Sequence, residues 1–252
     1  VAHAADLIDI RDRLEGKLTP PATDQECLGF MRAAGFDLSV AAERLQATWA
    51  WRQEQDIEGK MMDAKLVAFE RELRRVLLYD FLGVDKHGRP LLVERVGAWD
   101  AQAVILAAEP LERFVTLHAM ACETLRRFPR PAGTKDVRGT VLVLDLQGFG
   151  LRLICRQLLQ TLTALNEVDS AHYPDTLAHI FVVNAPVVVS VLINAVARFI
   201  DPTTLTKLSI SSDVPQEMVD ILGAACLPTE LHGTRCNVFP YDLLAGPASF
   251  FN

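Results

Sequence analysis

Several signatures are missing from this chain of 252 residues, and each absence removes a class of function. There is no G-x-x-x-x-G-K-[ST], no G-x-G-x-x-G and no G-x-S-x-G, so the common phosphate cradles and the hydrolase nucleophile turn are lacking. No apolar run reaches the ~20 residues that a bilayer-spanning helix requires. Cysteine is sparse: Cys27, Cys122, Cys155, Cys226 and Cys236 are scattered, odd in number and without a CxxC pair. That pattern suits reduced, buried thiols and an intracellular protein rather than a disulfide framework. The six histidines are equally dispersed, and none is expected to stand in metal-ligand spacing with a cysteine or carboxylate. A formal charge of −7 argues against bulk nucleic-acid binding, which favours a basic balance. The opening VAHAADLIDIRDRLEG is charged throughout and lacks the apolar core of a secretory signal.

Half of the residues are hydrophobic and 23% are charged, enough apolar matter for one large core with a small appendage. The first third carries helical spacing. A stretch over 4–14 is closed by Gly16 and Pro20-Pro21, and Asp24 can cap a helix that stops near Gly35. A third helix starts at Asp37 or Ser39, with Leu38, Ala41, Ala42, Leu45 and Trp49 on one face. A fourth, over 63–77, turns Leu66, Phe69, Leu73, Val76 and Leu77 inward. Residues 1–77 are therefore expected to form a helical N-terminal lobe.

The pattern changes near residue 79. YDFLGVDKHGRPLLVERVG reads as two strands joined by a turn at Asp85-Lys86-His87-Gly88. A helix is predicted over 110–128, opened by Pro110. GTVLVLDLQG is a buried strand, 152–168 a helix, HIFVVNAP a second buried strand, and TKLSI a short third one. Strands alternating with helices imply an α/β fold with a mainly parallel sheet over 78–252.

Between that second buried strand and TKLSI lies the most unusual stretch. From Val187 to Ile200 every residue is apolar except Ser190, Asn194 and Arg198, which are four apart and make one thin polar stripe on a helix. The run stops at Asp201-Pro202, and Thr203, Thr204, Thr206 and Lys207 follow directly. Such a helix is either enclosed by protein on nearly all sides or packed against something apolar that is not protein. Hydroxyls and an ammonium at the mouth of an apolar wall suit a phosphate head group above acyl chains.

At this point the sequence resembles the CRAL-TRIO lipid-binding and lipid-exchange domains, relatives of phosphatidylinositol/phosphatidylcholine and tocopherol transfer proteins. FMRAAGFDLSVAAERLQATWAWRQ is similar to that family's N-terminal helical segment, and GVDKHGRPLLVERVG to its G-x-D-x-x-G-R-P hairpin. VLDLQG, YPDTLAHIFVVNAP, FIDPTTLTK and LPTELHGT match its later segments in order, so that the resemblance covers roughly residues 24–234. It implies a helical lobe followed by an α/β lobe whose sheet floors an apolar lipid pocket, with 187–200 as the gate. Pocket and gate would be formed by Leu92, Leu142, Leu144, Val189, Leu192, Ile193, Val196, Phe199 and Ile200. The head group would meet Asp175, Thr176, Thr204, Lys207 and Thr140. Each buried methylene is worth about 0.8 kcal/mol, so two acyl chains of around 16 carbons are held in a membrane by on the order of 20 kcal/mol. Extraction therefore demands an equally apolar cavity.

The match is incomplete at the head group. Ala34 and Gly35 stand where phosphatidylinositol-binding members are basic, and Thr176 where an arginine is usual, which leaves Lys207 as the main expected cation. Thr140 keeps a hydroxyl of the phosphatidylcholine-type site, but Leu142 and Leu92 replace its hydroxyl and tyrosine. These changes favour a ligand with a smaller polar end. The resemblance implies a non-enzymatic cytoplasmic protein, peripheral on membranes, that needs no cofactor besides the bound lipid. Its partners would be a phospholipid or other hydrophobic molecule and, transiently, a membrane surface, with no nucleic acid. The alternative is a membrane-recruiting interaction module of a larger protein. A hydrolase using His172, Asp175 and His179 is a third reading, held as a control. Two basic runs, Arg71, Arg74, Arg75 and Arg126, Arg127, Arg130, are expected to be solvated faces or contacts for anionic lipid.

Overall fold

The computed structural model describes residues 3–100, 102–103, 109–128, 139–150, 156–189 and 202–236. Five helices come first: α1 (Ala4–Leu14), α2 (Asp24–Ala33), α3 (Leu38–Glu54), α4 (Ile57–Met62) and α5 (Ala64–Leu77). Short polar side chains fix where they begin. Thr23 and Glu26 form a reciprocal capping box at α2, and the carboxylates of Asp37 and Asp63 accept the first free amides of α3 and α5. Ile10, Leu14, Phe30, Met31, Leu45 and Trp49 interlock as the core of α1–α3. The indole of Trp49 donates to Pro20 O at 2.8 Å, so the Pro20-Pro21 break is tied to α3. Helix α4 was not expected from the spacing; it is one and a half turns long, too short for a periodic signal, and Asp56 caps it.

Arg74 corrects the expectation of a solvated basic face on α5. It is 1% exposed. Its Nε donates to Glu70 Oε1 at 2.7 Å and its Nη1 to Asp80 Oδ1 at 3.2 Å. The Tyr79 hydroxyl donates to the same Glu70 oxygen at 2.8 Å. A charge can be buried here because two carboxylates surround it.

The sheet follows: β1 (Tyr79–Val84), β2 (Pro90–Glu94), β3 (Thr140–Asp145), β4 (Leu177–Val183) and β5 (Leu208–Ile210), in the spatial order 1-2-3-4-5. β1 and β2 are antiparallel, and all later pairs are parallel. In the β1–β2 turn Asp85 accepts from the amides of His87 and Arg89, and Gly88 supplies φ 84°. Helix α6 (Leu111–Arg127) connects β2 to β3, and α7 (Arg156–His172) connects β3 to β4. α7 extends four residues past the expected end at 168 and stops at Tyr173-Pro174, where Asp175 takes a left-handed φ of 57°.

Sequential strand order has a geometric consequence. When each crossover has the same hand and each new strand is added on the same side, the connecting helices gather on one face of the sheet. α6 and α7 lie on that face. The other face carries α8 (Gln216–Leu222), whose Met218, Val219 and Leu222 pack on Leu91, Val93, Val141, Val143, Phe181 and Val183. Strand side chains alternate, so Leu92, Glu94, Thr140, Leu142, Leu144 and Ile180 point to the α6–α7 side. GTVLVLDLQG was expected to be buried on both faces; Val141 and Val143 are fully buried on the α8 face, while Leu142 and Leu144, on the cavity face, are half-buried.

Candidate functional site: an apolar cavity with a charged end

The α6–α7 face of the sheet does not pack flush. It encloses a cavity of about 680 Å³, within the ~300–1,000 Å³ typical of small-molecule sites. Leu92, Leu142 and Ile180 form its floor, Phe114, Leu117 and Leu125 of α6 one wall, and Leu162 and Leu165 of α7 another. Leu144 and Val189 sit beside it in an apolar cluster with Leu146 and Val182. The expected gate helix falls mostly outside the described residues. Only its opening turn, 187–189, is seen, and Leu192, Ile193, Val196, Phe199 and Ile200 lie beyond the description.

All five expected head-group residues line the same cavity: Thr140, Asp175, Thr176, Thr204 and Lys207. They meet where β3, β4 and β5 begin. Lys207 Nζ lies 2.8 Å from Asp175 Oδ1 and donates to Leu177 O at 2.6 Å. Thr176 donates its hydroxyl to Tyr173 O at 3.0 Å, and its carbonyl accepts the Thr140 amide at 2.8 Å.

Lys207 is not the lone cation that the sequence suggested. Arg32, at the end of α2, pairs through Nη1 with Asp175 Oδ2, so two cations share one carboxylate. Arg32 Nη2 is buried and has no hydrogen-bond partner among the described residues. An unsatisfied guanidinium donor in a half-closed cavity is a ready partner for an anionic oxygen. Arg44 also reaches the cavity, held by Ser170 O at 2.6 Å and Ala33 O at 3.3 Å. Arg32 stands in the quoted F-M-R segment, two residues before Ala34. Its role was hidden because its partner is 143 residues away.

A second polar group lies in the cavity lining. His118 Nε2 is 2.7 Å from Asp169 Oδ1, and Cys122 Sγ is 3.5 Å from both. Burial opposes a charge on His118, yet Cys122 and Asp169 outweigh it and raise its pKa well above the ordinary value. Burial pushes the Cys122 thiol up to about 11. It raises Glu94, on the cavity floor, to about 7, with His118 acting the other way. The cluster corrects the expectation that no histidine stands in ligand spacing with a cysteine, because H-x-x-x-C at 118 and 122 is such a spacing on a helix.

The structure does not assemble the hydrolase trio. His172 stacks on Trp51 at 4.0 Å, with Nδ1 3.2 Å from Thr48 Oγ1. Burial, with Arg52 and Arg44 nearby, lowers its pKa to about 4. His179 is bonded to Ser209 at 2.9 Å and lies against Phe181, away from Asp175.

Nor is the run at 126–127 a free basic face. Glu123 is fully buried beneath Arg52, Arg126 and Arg127. Burial pushes its pKa up, but the three guanidiniums outweigh this and hold it below the ordinary value. Arg126 also pairs with Glu26, and Arg127 with Glu58, so these residues fasten α6 to the N-terminal helices. Arg130 lies outside the described residues.

The fold and cavity define an α/β protein with an internal apolar chamber. The CRAL/TRIO domain model matches residues 77–233, and the chain belongs to that family. Among curated relatives it is 30% identical over 215 residues to the phosphatidylinositol/phosphatidylcholine transfer protein SFH12 of Arabidopsis thaliana, covering 82% of this chain and 39% of that protein. It is 29% identical over 226 residues to SFH11, a transfer protein of the same name and plant, covering 87% and 60%. It is 30% identical over 257 residues to Protein real-time of Anopheles gambiae, covering 96% and 36%. The chain thus spans less than two thirds of the length of these relatives. Among solved structures, that of Sfh5 superposes with a TM-score of 0.63 at 18% identity, covering 79% of this chain and 67% of that one. That likeness concerns the fold. No helix among the described residues is long and apolar enough to cross a membrane.

Proposed function

We propose that this chain holds a phospholipid, or another lipid with an anionic polar end, in the cavity and exchanges it with membranes without catalysing a reaction. The single observation that carries this reading is the union of an apolar chamber of about 680 Å³ with the Arg32–Asp175–Lys207 cluster. Acyl chains would lie over Leu92, Leu142 and Leu144. Arg32 Nη2 and Lys207 would take the phosphate, with Thr140, Thr176 and Thr204 offering hydroxyls and Asp175 holding both cations in place. Val189 and the stretch containing Leu192, Ile193, Val196, Phe199 and Ile200 would form the gate. The transfer activity named for the plant relatives supports the same reading.

The test is transfer of labelled phosphatidylinositol and phosphatidylcholine between vesicles. Hydrogen bonds to charged groups are worth about 1.5–3 kcal/mol, so Arg32→Gln is expected to slow phosphatidylinositol transfer by roughly 10–100-fold. Equal transfer by Arg32→Gln and the parent protein would refute the head-group assignment. A second reading, a membrane-recruiting module, draws on the share of the relatives that the chain spans, 39% for SFH12. It predicts vesicle binding without extraction of lipid.

A further inference from the structure

His118 and Cys122 lie one turn apart on α6, and Asp169 faces them from α7. Their ligand atoms all fall within 4.8 Å of one another, and all three residues line the cavity. We infer that His118, Cys122 and Asp169 form a three-ligand site for a divalent transition metal ion of the zinc type, with its fourth position open to the cavity.

The geometry is close to what such an ion requires. Bonds of about 2.0–2.1 Å to nitrogen and oxygen and about 2.3 Å to sulfur give tetrahedral edges of roughly 3.5 Å from sulfur and roughly 3.4 Å from nitrogen to oxygen. The two edges from Cys122 Sγ are already 3.5 Å. The His118–Asp169 edge is 2.7 Å, a hydrogen bond that a small rotation of the Asp169 carboxylate would open. A mixed nitrogen, sulfur and oxygen set suits zinc or cobalt better than magnesium or calcium, which favour oxygen alone. With a thiolate, a carboxylate and a neutral imidazole the loaded centre carries no net charge, which an apolar wall tolerates. Binding releases two protons to solvent, one from the Cys122 thiol and one from the His118 imidazolium.

The scaffold is already braced. The Tyr173 hydroxyl, one turn beyond Asp169, donates to Glu123 Oε1 at 3.0 Å, next to Cys122. That bond ties α6 to α7 beside the site, so little ordering remains for the metal to impose. The open position faces the chamber and would take water or the polar atom of an occupant. The site depends on three side chains and not on what fills the cavity, so it does not rest on the lipid-exchange reading.

The experiment is titration of the chelator-treated full chain with Co²⁺ as an optical probe, followed by displacement with Zn²⁺. One Co²⁺ per chain is expected, with a thiolate-to-cobalt absorption band and tetrahedral ligand-field bands that Zn²⁺ abolishes. Cys122→Ser should remove the thiolate band and weaken binding by more than the roughly 10–100-fold that outer-shell changes cost. Asp169→Asn should weaken binding while the thiolate band survives at saturation, and Cys236→Ser, at an exposed thiol, should change nothing. Sub-stoichiometric binding, a thiolate band that persists in Cys122→Ser, or unchanged affinity in Asp169→Asn would each overturn the site.

Discussion

Arg74 and His172 show how a single side chain sets stability in this protein. Arg74 is enclosed by Glu70 and Asp80, so Arg74→Met removes a charge and leaves two buried carboxylates facing each other. Breaking a buried pair in this way costs about 3–5 kcal/mol, readable as a lower urea midpoint with an unchanged slope. His172 acts through pH. Its folded pKa, about 4, lies below the ordinary 6.5 because burial and Arg52 disfavour its charge. Between those values the unfolded chain binds a proton that the folded chain refuses, so stability falls as pH drops from about 6.5 to about 4 and then levels. The loss is on the order of 1–2 kcal/mol once partial exposure is allowed for. His172→Phe keeps the stack on Trp51 and should flatten the slope in that window. Urea midpoints at pH 7, 5.5 and 4.5 check it, and an unchanged slope would remove His172 from the account.

At the scale of elements, local chemistry marks most boundaries. The Thr23–Glu26 box fixes the start of α2, and Thr23→Ala should cost about 1 kcal/mol, measured by denaturant unfolding. Such signals lie within four residues of one another, which is why α2, α3, α5, the hairpin and the buried strands could be read from spacing. Contacts between distant elements left no comparable trace. Arg32 meets Asp175 only because α2 is brought to the start of β4, and Gly29 packs there against Pro174 O with 3.0 Å to an added Cβ. Likewise Arg126 and Arg127, which meet Glu123 on their own helix, look like a basic face until Glu26 and Glu58 arrive from elsewhere in the fold. The hydrophobic pattern marked Leu92 and Leu142 as buried, but apolar residues facing a cavity and apolar residues facing a core have the same alternation.

For the whole molecule, the sequential strand order gathers α6 and α7 on one face of the sheet, and that face carries the chamber, while α8 seals the other. Under the proposed function, stability and lipid binding are thereby separated between the two faces. Leu142→Trp should fill part of the chamber and lower the amount of retained lipid, yet leave the helical content unchanged. Circular dichroism beside lipid extraction tests this. A large fall in thermal midpoint would show instead that Leu142 supports the core. The most direct test of the central claim is native mass spectrometry of the purified protein beside mass spectrometry of its organic extract. One lipid per chain is expected, with an anionic polar end, and it should be lost from Arg32→Gln protein. A chain that carries no lipid and takes none from vesicles would contradict it.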